Sequence, residues 1–417
     1  MAQQQDLMGR WRNGRRRGLK IPRPRGREGS IPSRPIYPLL MKHTADIIII
    51  GGGVIGCAIA YNLRKSGTDV TVVERGEIGG QASSAAAGLL APLGPISAPG
   101  PFANLLLSSF AMFPALVPEL EEASGMRLNY EQTGALRTVR NPKRIQNLQK
   151  RFEAWQPLGL KMYWLSGDEA RQREPLLSPD ISAAIYAPEE SQIKAPQLVR
   201  AFSQAASNSG ASIHSHTEII DLQRNHTKVT AVQTASGELI TCNHLIVATG
   251  AWTACYSKWL DMTLPVSPLR GQILSYQQPA TPLQHIIFGD AAYIAPKGNN
   301  LIVGATKEET GFDTSVTSEG KAWLSETATR LVPILRQSIA KDAWAGLRPK
   351  TPDGWPILGP VPHLENITLA TGHNSVGIIL SAITGQTITE YVKTKHLPEI
   401  IRPFLLERFE HIQTESQ

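Results

Sequence analysis

The clearest apolar run in the chain is short and β-branched: Asp46-Ile47-Ile48-Ile49-Ile50, ending abruptly at Gly51-Gly52-Gly53-Val54-Ile55-Gly56. Such a run reads as a buried strand of a parallel sheet. Beyond the glycines, Cys57-Ala58-Ile59-Ala60-Tyr61-Asn62-Leu63 supplies the small and apolar residues of a helix packed tightly on that sheet, and Ser66-Gly67 closes it. Val70-Thr71-Val72-Val73-Glu74 follows as a second strand. The pattern predicts a βαβ unit of about 30 residues, the length this crossover requires.

Gly51, Gly53 and Gly56 match G-x-G-x-x-G, and each has a physical task. Gly51 permits the tight turn, Gly53 lets backbone approach a pyrophosphate, and Gly56 lets the helix lie close to the strand with its N-terminal amides facing phosphate. Glu74, 23 positions past Gly51, stands where an acid accepts hydrogen bonds from an adenosine ribose, and its charge disfavours a 2′-phosphate. This pattern points to a dinucleotide and does not separate FAD from NAD. The next segment, Gly79-Gly80-Gln81-Ala82-Ser83-Ser84-Ala85-Ala86-Ala87-Gly88-Leu89-Leu90, is small, uncharged and hydroxyl-bearing. That composition suits backbone running close to an extended ligand; a small-residue helix start has the same composition.

The chain has 417 residues, 41% of them hydrophobic, enough for two domains with real cores. Its formal charge of +7 suggests a nucleic-acid or anionic-surface binder until it is located. Residues 1–40 hold ten Lys/Arg against Asp6 and Glu28, which leaves 32 basic and 33 acidic side chains in the remainder. The head is rich in Pro and Arg without apolar periodicity, and reads as a disordered basic tail. It lacks the apolar core of a secretory signal; a transit peptide, a basic arm and a start at Met41 are the alternatives. Three cysteines, Cys57, Cys242 and Cys255, form no C-x-x-C pair, which points away from disulfides and a cysteine zinc site and towards a reducing, cytoplasmic setting. The uncharged stretch from Ile78 to Pro118 contains six prolines, so no unbroken apolar helix of roughly 20 residues, and no membrane span, is expected within it.

Together, Gly51–Gly56, Glu74-Arg75 and Ser84-Ala85-Ala86-Ala87-Gly88-Leu89 resemble the opening of the flavin-dependent D-amino-acid oxidase superfamily, the last segment being particularly similar to the glycine oxidases of thiamine biosynthesis. Further segments resemble the family in its order: Leu245–Trp252, Leu269-Arg270-Gly271-Gln272, Ala292–Pro296, Val303–Thr306, Trp344–Pro349, and Thr371-Gly372-His373 through Leu380. The resemblance spans about residues 43–400. It implies an α/β plus α+β fold, with a Rossmann-like FAD-binding domain assembled from segments near 41–90, 190–262 and 340–400. Residues 91–189 and 263–339 would form a substrate domain with a mainly antiparallel sheet, including strands at Ala135-Leu136-Arg137-Thr138-Val139 and Asn300-Leu301-Ile302-Val303. Residues 401–417 would be a C-terminal tail.

For the cofactor, FAD, the resemblance implies contacts from Val54, Ile55, Glu74, Arg75, Ala82, Ser83, Ala87, Gly88 and Leu89, with Ile219 holding the adenine through its backbone and Gly250 in the second flavin motif. His373, Asn374, Ser375, Val376, Gly377, Ile378 and Ile379 would line the flavin ring, where a glycine-led helix start aims amides at the edge that gathers charge on reduction. Arg348 matches the family arginine that grips a substrate carboxylate, and its planar fork suits that task; Tyr293 matches a tyrosine of the same pocket. An ion pair from Arg348 to Asp342 or Asp353 is the structural alternative. In this family the α-carbon gives hydride to flavin, so positioning rather than a dedicated base is required. The glycine oxidases carry an arginine where this chain has Ser375.

The implied activity is a glycine oxidase-like reaction of a small amino acid with O2, giving imine and peroxide and feeding thiazole synthesis. The alternatives are a D-amino-acid dehydrogenase serving a quinone and a non-catalytic flavoprotein whose head contacts RNA or lipid. No nucleic-acid partner is expected of the body, and a homo-oligomer is left open. His214 and His216 alternate on an expected strand, without metal-ligand spacing to any acid or cysteine, and read as surface histidines; Trp252, Trp259, Trp344 and Trp355 read as core or pocket walls.

Overall fold

The isoleucine run lies at the centre of a sheet as strand Thr44–Ile50, paired in parallel with Leu239–Val247 on one side and Val70–Val73 on the other. The order across this sheet is Ile357–Pro360, Ile367–Thr371, Leu239–Val247, Thr44–Ile50, Val70–Val73 and Ser212–His214. A hairpin, Ile219–Asn225 and Lys228–Thr234, pairs antiparallel beside Leu239–Val247. Helix Val54–Lys65 covers one face, with nine of its residues buried. It packs against helices Ala195–Asn208 and Gly377–Thr394. Contact with the latter is close because Gly385 lies over the Ala58 carbonyl, where a Cβ would come to 3.0 Å. The computed structural model describes residues 43–289 and 291–410, so the expected basic tail lies outside the described residues.

A second sheet runs in the order Asp342–Lys350, Ser267–Gln277, Asn300–Gly304, Tyr293–Lys297, Ile286–Phe288, Ala135–Val139, Ala183–Ala187 and Tyr163–Ser166. Every pairing is antiparallel except Ile286–Phe288 with Ala135–Val139. Its core includes Leu136, Tyr276, Ile294 and Leu301, with helix Ser318–Leu331 laid against it. This combination of a parallel sheet under helices and a largely antiparallel sheet is the fold class expected from the sequence.

Four expectations need correction. Residues 101–118 do lie in a long helix, Pro101–Ser124, despite Pro114 and Pro118 inside it. Both prolines face solvent, while Leu105, Leu106, Phe113, Val117 and Leu120 are buried, and the Ser109 hydroxyl donates to the Ile379 carbonyl at 2.5 Å. Tertiary packing therefore outweighs two missing backbone donors. By length and composition this helix could cross a membrane; a third of its most apolar window is buried in the fold. Second, strand Asp342–Lys350 falls in the 340–400 segment expected in the cofactor domain, yet pairs along its length with Ser267–Gln277 of the second sheet. Third, residues 401–410 are packed, with Ile401 and Phe404 fully buried. Fourth, His214 ends its strand, whereas His216 has a left-handed φ of 53° beyond it and meets Glu77 at 2.8 Å, so the two do not share a strand face.

Candidate active site

The strand-to-helix turn closes on itself before it meets any ligand. Gly51 has φ +111°, a conformation L side chains rarely adopt, and a Cβ there would overlap the Ala248 carbonyl. A Cβ on Gly56 would overlap the Gly51 carbonyl, so Gly56 serves helix-to-strand packing and does not line the cleft. Gly53 differs: its backbone is extended (φ −74°, ψ 179°) and an added Cβ would meet only Ser83 Oγ, at 3.4 Å. Val54 N–H donates to Ser83 Oγ at 3.0 Å, which ties the turn to the small-residue segment. At the tip of Val70–Val73, Glu74 accepts from Gly52 N–H at 2.8 Å and Gly76 N–H at 2.9 Å.

Two cavities share Gly53, Ala82, Ser83, Ala248 and Gly250, and so form one elongated cleft. One end is lined by Glu74, Arg75, Ile219 and Trp252, with the Arg75 guanidinium 4.2 Å from the Trp252 ring. The other is lined by Val54, Ile55, Ala87, Gly88, Leu89, Tyr293, Arg348 and the residues His373, Asn374, Ser375, Gly377 and Ile378. Val376 and Ile379 are buried and line an adjoining outer cavity instead. The helix Gly377–Thr394 begins at this end without a side-chain cap, leaving its first-turn amides without an intrahelical partner. Two helix N-termini, an acid at the strand tip, and glycines at 53 and 250 with room for a ligand where a Cβ would stand therefore fit a long dinucleotide with an anionic centre.

Arg348 donates Nη1 to the Thr306 carbonyl at 3.0 Å and the Arg270 carbonyl at 3.4 Å. It has no carboxylate partner among the described residues: Asp353 pairs with Arg408, and Glu308 pairs with Arg270. Burial holds its pKa below the usual guanidinium range, opposed by Tyr293 and Glu308. The Tyr293 hydroxyl is pushed up to about 12 by burial, with Arg348 opposing, so it stays a neutral phenol at physiological pH. The two side chains thus present a cation and an O–H donor beside the cap loop, which is anchored where Asn374 N–H donates to the Pro349 carbonyl at 3.0 Å.

Two site-forming residues were not singled out in the sequence. Gly271 and Gly346 stand opposite each other across paired strands. A Cβ on Gly271 would overlap the Arg348 guanidinium, and one on Gly346 would meet Ala85 Cβ at 2.5 Å. Glycine inside a strand marks close approach, and that signal was present in both segments. Trp252 lines the cleft and Trp355 the outer cavity; Trp344 Nε1–H donates to the Ala85 carbonyl at 3.0 Å.

His373, buried with Nε2 at 3.1 Å from Thr384 Oγ1, has its pKa pushed down to about 3 by burial. His244, at 2.8 Å from Thr368 Oγ1, is also near 3, through burial and the charge of Lys395. Both folded values lie below the ordinary 6.5, so the unfolded chain binds more protons as pH falls. The neutral imidazoles' contribution to stability is complete above pH 6.5 and is lost between 6.5 and about 3. The urea midpoint of the protein should therefore decline over that window, and His244→Asn should flatten the decline. An unchanged slope would show that His244 charges within the fold.

The family model for FAD-dependent oxidoreductases of the DAO type matches residues 46–391, and the chain belongs to that family. It is an FAD-dependent amino-acid oxidoreductase similar to glycine oxidase. Glycine oxidase of Geobacillus kaustophilus is 34% identical over 371 residues, covering 88% of this chain and 98% of that protein, and its crystal structure superposes with a TM-score of 0.84. The hydrogen cyanide synthase subunit HcnC of Pseudomonas aeruginosa is 32% identical, over 89% of this chain and 97% of its own. The bifunctional protein ThiO/ThiG of Trichormus variabilis is 34% identical over 88% of this chain, which spans about half (55%) of that protein's length.

Proposed function

We propose that the chain oxidises glycine or a similarly small amino acid to its imine, with O2 taking the electrons to become H2O2 and the imine hydrolysing to glyoxylate and ammonia. The observation that carries this reading is Arg348, a largely buried cation with only carbonyl partners among the described residues, beside the Tyr293 hydroxyl at the cap-loop end of the cleft. FAD, when bound, supplies a two-electron acceptor. Arg348 would pair with the substrate carboxylate, Tyr293 would donate to it, and the neutral His373 adds no charge that would repel a substrate amine. Glu74 and the Gly53 turn would hold the adenosine and pyrophosphate parts, and the first-turn amides of Gly377–Thr394 would face the ring. The likeness to glycine oxidase and to the ThiO part of ThiO/ThiG supports a role in making thiamine's thiazole, and three free cysteines suit a cytoplasmic setting.

A dehydrogenase passing electrons to a quinone is the second reading, favoured by the apolar helix Pro101–Ser124, only a third of whose most apolar window is buried. Glycine added anaerobically to the yellow protein should bleach the flavin, and admitting air should restore the colour with peroxide released. Reduced flavin that persists in air would replace the oxidase with the dehydrogenase, and flavin that no small amino acid bleaches would exclude both.

A further inference from the structure

Residues 305–317 join strand Asn300–Gly304 to helix Ser318–Leu331 with no strand or helix of their own. A loop of that length inside a compact domain usually has a task. Its base is firmly built. Glu308 exchanges both backbone bonds with Arg270, at 2.9 and 3.0 Å. The Glu308 carboxylate accepts Arg270 Nε–H and Gln272 Nε2–H, each at 2.8 Å. Asp313 pairs with the same guanidinium and accepts from Ser315 N–H and Oγ–H, each at 2.8 Å. Thr317 N–H donates to Gln272 Oε1 at 2.8 Å. Arg270 and Gln272, both buried, thus clamp the two ends of the loop to strand Ser267–Gln277.

Between these anchors the backbone turns at Gly311, with φ +62°, and Phe312 stands at the tip, 48% exposed. Its ring stacks on Trp252, the centroids 5.5 Å apart and the planes 21° from parallel. Trp252 comes from the other side of the molecule's cleft. It lies in the short helix Gly250–Tyr256, which follows strand Leu239–Val247 of the first sheet, and it lines the end of the cleft where Glu74 stands. The Arg75 guanidinium, from the tip of Val70–Val73, lies 4.2 Å from the same ring. Arg75 and Phe312 are exposed and Trp252 is half-buried, so this end of the cleft reaches the surface here. One indole at the mouth is therefore held by a residue from each sheet's half of the fold.

We propose that residues 308–315 form a strap whose tip, Phe312, closes the adenosine end of the cleft through Trp252 and sets how long FAD stays bound. The inference rests on FAD lying along this cleft with its adenosine beside Glu74. Phe312 is then a retaining residue: it touches Trp252, and Trp252 lines the cleft.

Retention can be read without turnover. FAD release from the yellow protein is followed as a rise in flavin fluorescence after dilution into excess ADP, which prevents rebinding. Phe312→Ala should release FAD about three- to tenfold faster, the span that one aromatic pair is worth. The melting temperature of its apoprotein should be unchanged, since half of the ring already lies in water. Phe312→Tyr keeps the stacked ring and should release FAD at the wild-type rate. Asp313→Ala loosens one anchor and should also hasten release. The double variant should be no faster than Phe312→Ala alone, because the anchor acts only through the tip. Equal release from wild type and Phe312→Ala overturns the strap, as do fully multiplied effects in the double variant. Glu74→Gln, measured alongside, separates this claim from the placement of the cofactor. Weaker FAD binding by Glu74→Gln with unchanged release from Phe312→Ala leaves the placement standing and the strap overturned. Faster release from Phe312→Ala with FAD affinity untouched by Glu74→Gln keeps the strap and removes Glu74 as the ribose's partner.

Discussion

Replacing Arg348 with alanine is expected to lower kcat/KM for a small amino acid by about 10²–10³-fold, mainly through KM, while FAD stays bound and the melting temperature holds or rises. The argument is one of partners. The guanidinium touches two backbone carbonyls, at 3.0 and 3.4 Å, and no carboxylate of the described chain. A largely buried cation in that position costs the fold desolvation that no internal ion pair offsets, so its removal relieves the protein. The same removal deprives a substrate carboxylate of a bidentate partner in ground and transition states alike, which is why KM should carry the loss. Arg348→Lys should recover only part of the activity, because an ammonium lacks the planar fork. Steady-state oxygen uptake, flavin absorbance and a thermal melt read all three quantities. Unchanged kinetics, or a colourless variant, would remove Arg348 from the substrate's side of the cleft.

Much of this cleft was legible in the chain because its first part is local. The run Ile47–Ile50, the glycines and Glu74 lie within one crossover unit, and hydrophobic pattern alone places them on a strand, a turn and a second strand tip. The cap-loop end of the cleft was approachable only through ordered resemblance, since Tyr293, Arg348 and the cap loop lie on elements far apart in sequence. What the chain did not disclose depends on register and tertiary packing. Gly271 and Gly346 matter because strand pairing sets them opposite each other under Arg348 and Ala85, a relation no local pattern contains. Pro114 and Pro118 read as helix breakers, yet both rings fall on the solvent side of a helix held by its buried face.

Gly53 offers the sharpest separation of folding from cofactor binding, and Gly53→Val should yield folded, colourless protein. Its φ of −74° and ψ of 179° are open to any residue, and the only atom near an added Cβ is Ser83 Oγ at 3.4 Å. The valine methyls would enter the stretch where the two halves of the cleft join, since Gly53 lines both. FAD affinity should fall about 100-fold or more, the equivalent of ~3 kcal/mol of overpacking at a contact that cannot shift. The apo melting temperature should stay within a few degrees of wild type, because helix Val54–Lys65 keeps its buried face and the bond from Val54 N–H to Ser83. Gly51→Val, in the same motif, should fail differently: its φ of +111° and the overlap with the Ala248 carbonyl strain the fold itself, so soluble protein should be lost along with flavin. Retention of yellow colour with unaltered FAD affinity in Gly53→Val would mean that the cofactor does not pass over this turn. Unfolding of Gly53→Val would mean that the glycine is there for packing, as Gly56 is, and that the open face of the turn is not what the cofactor requires.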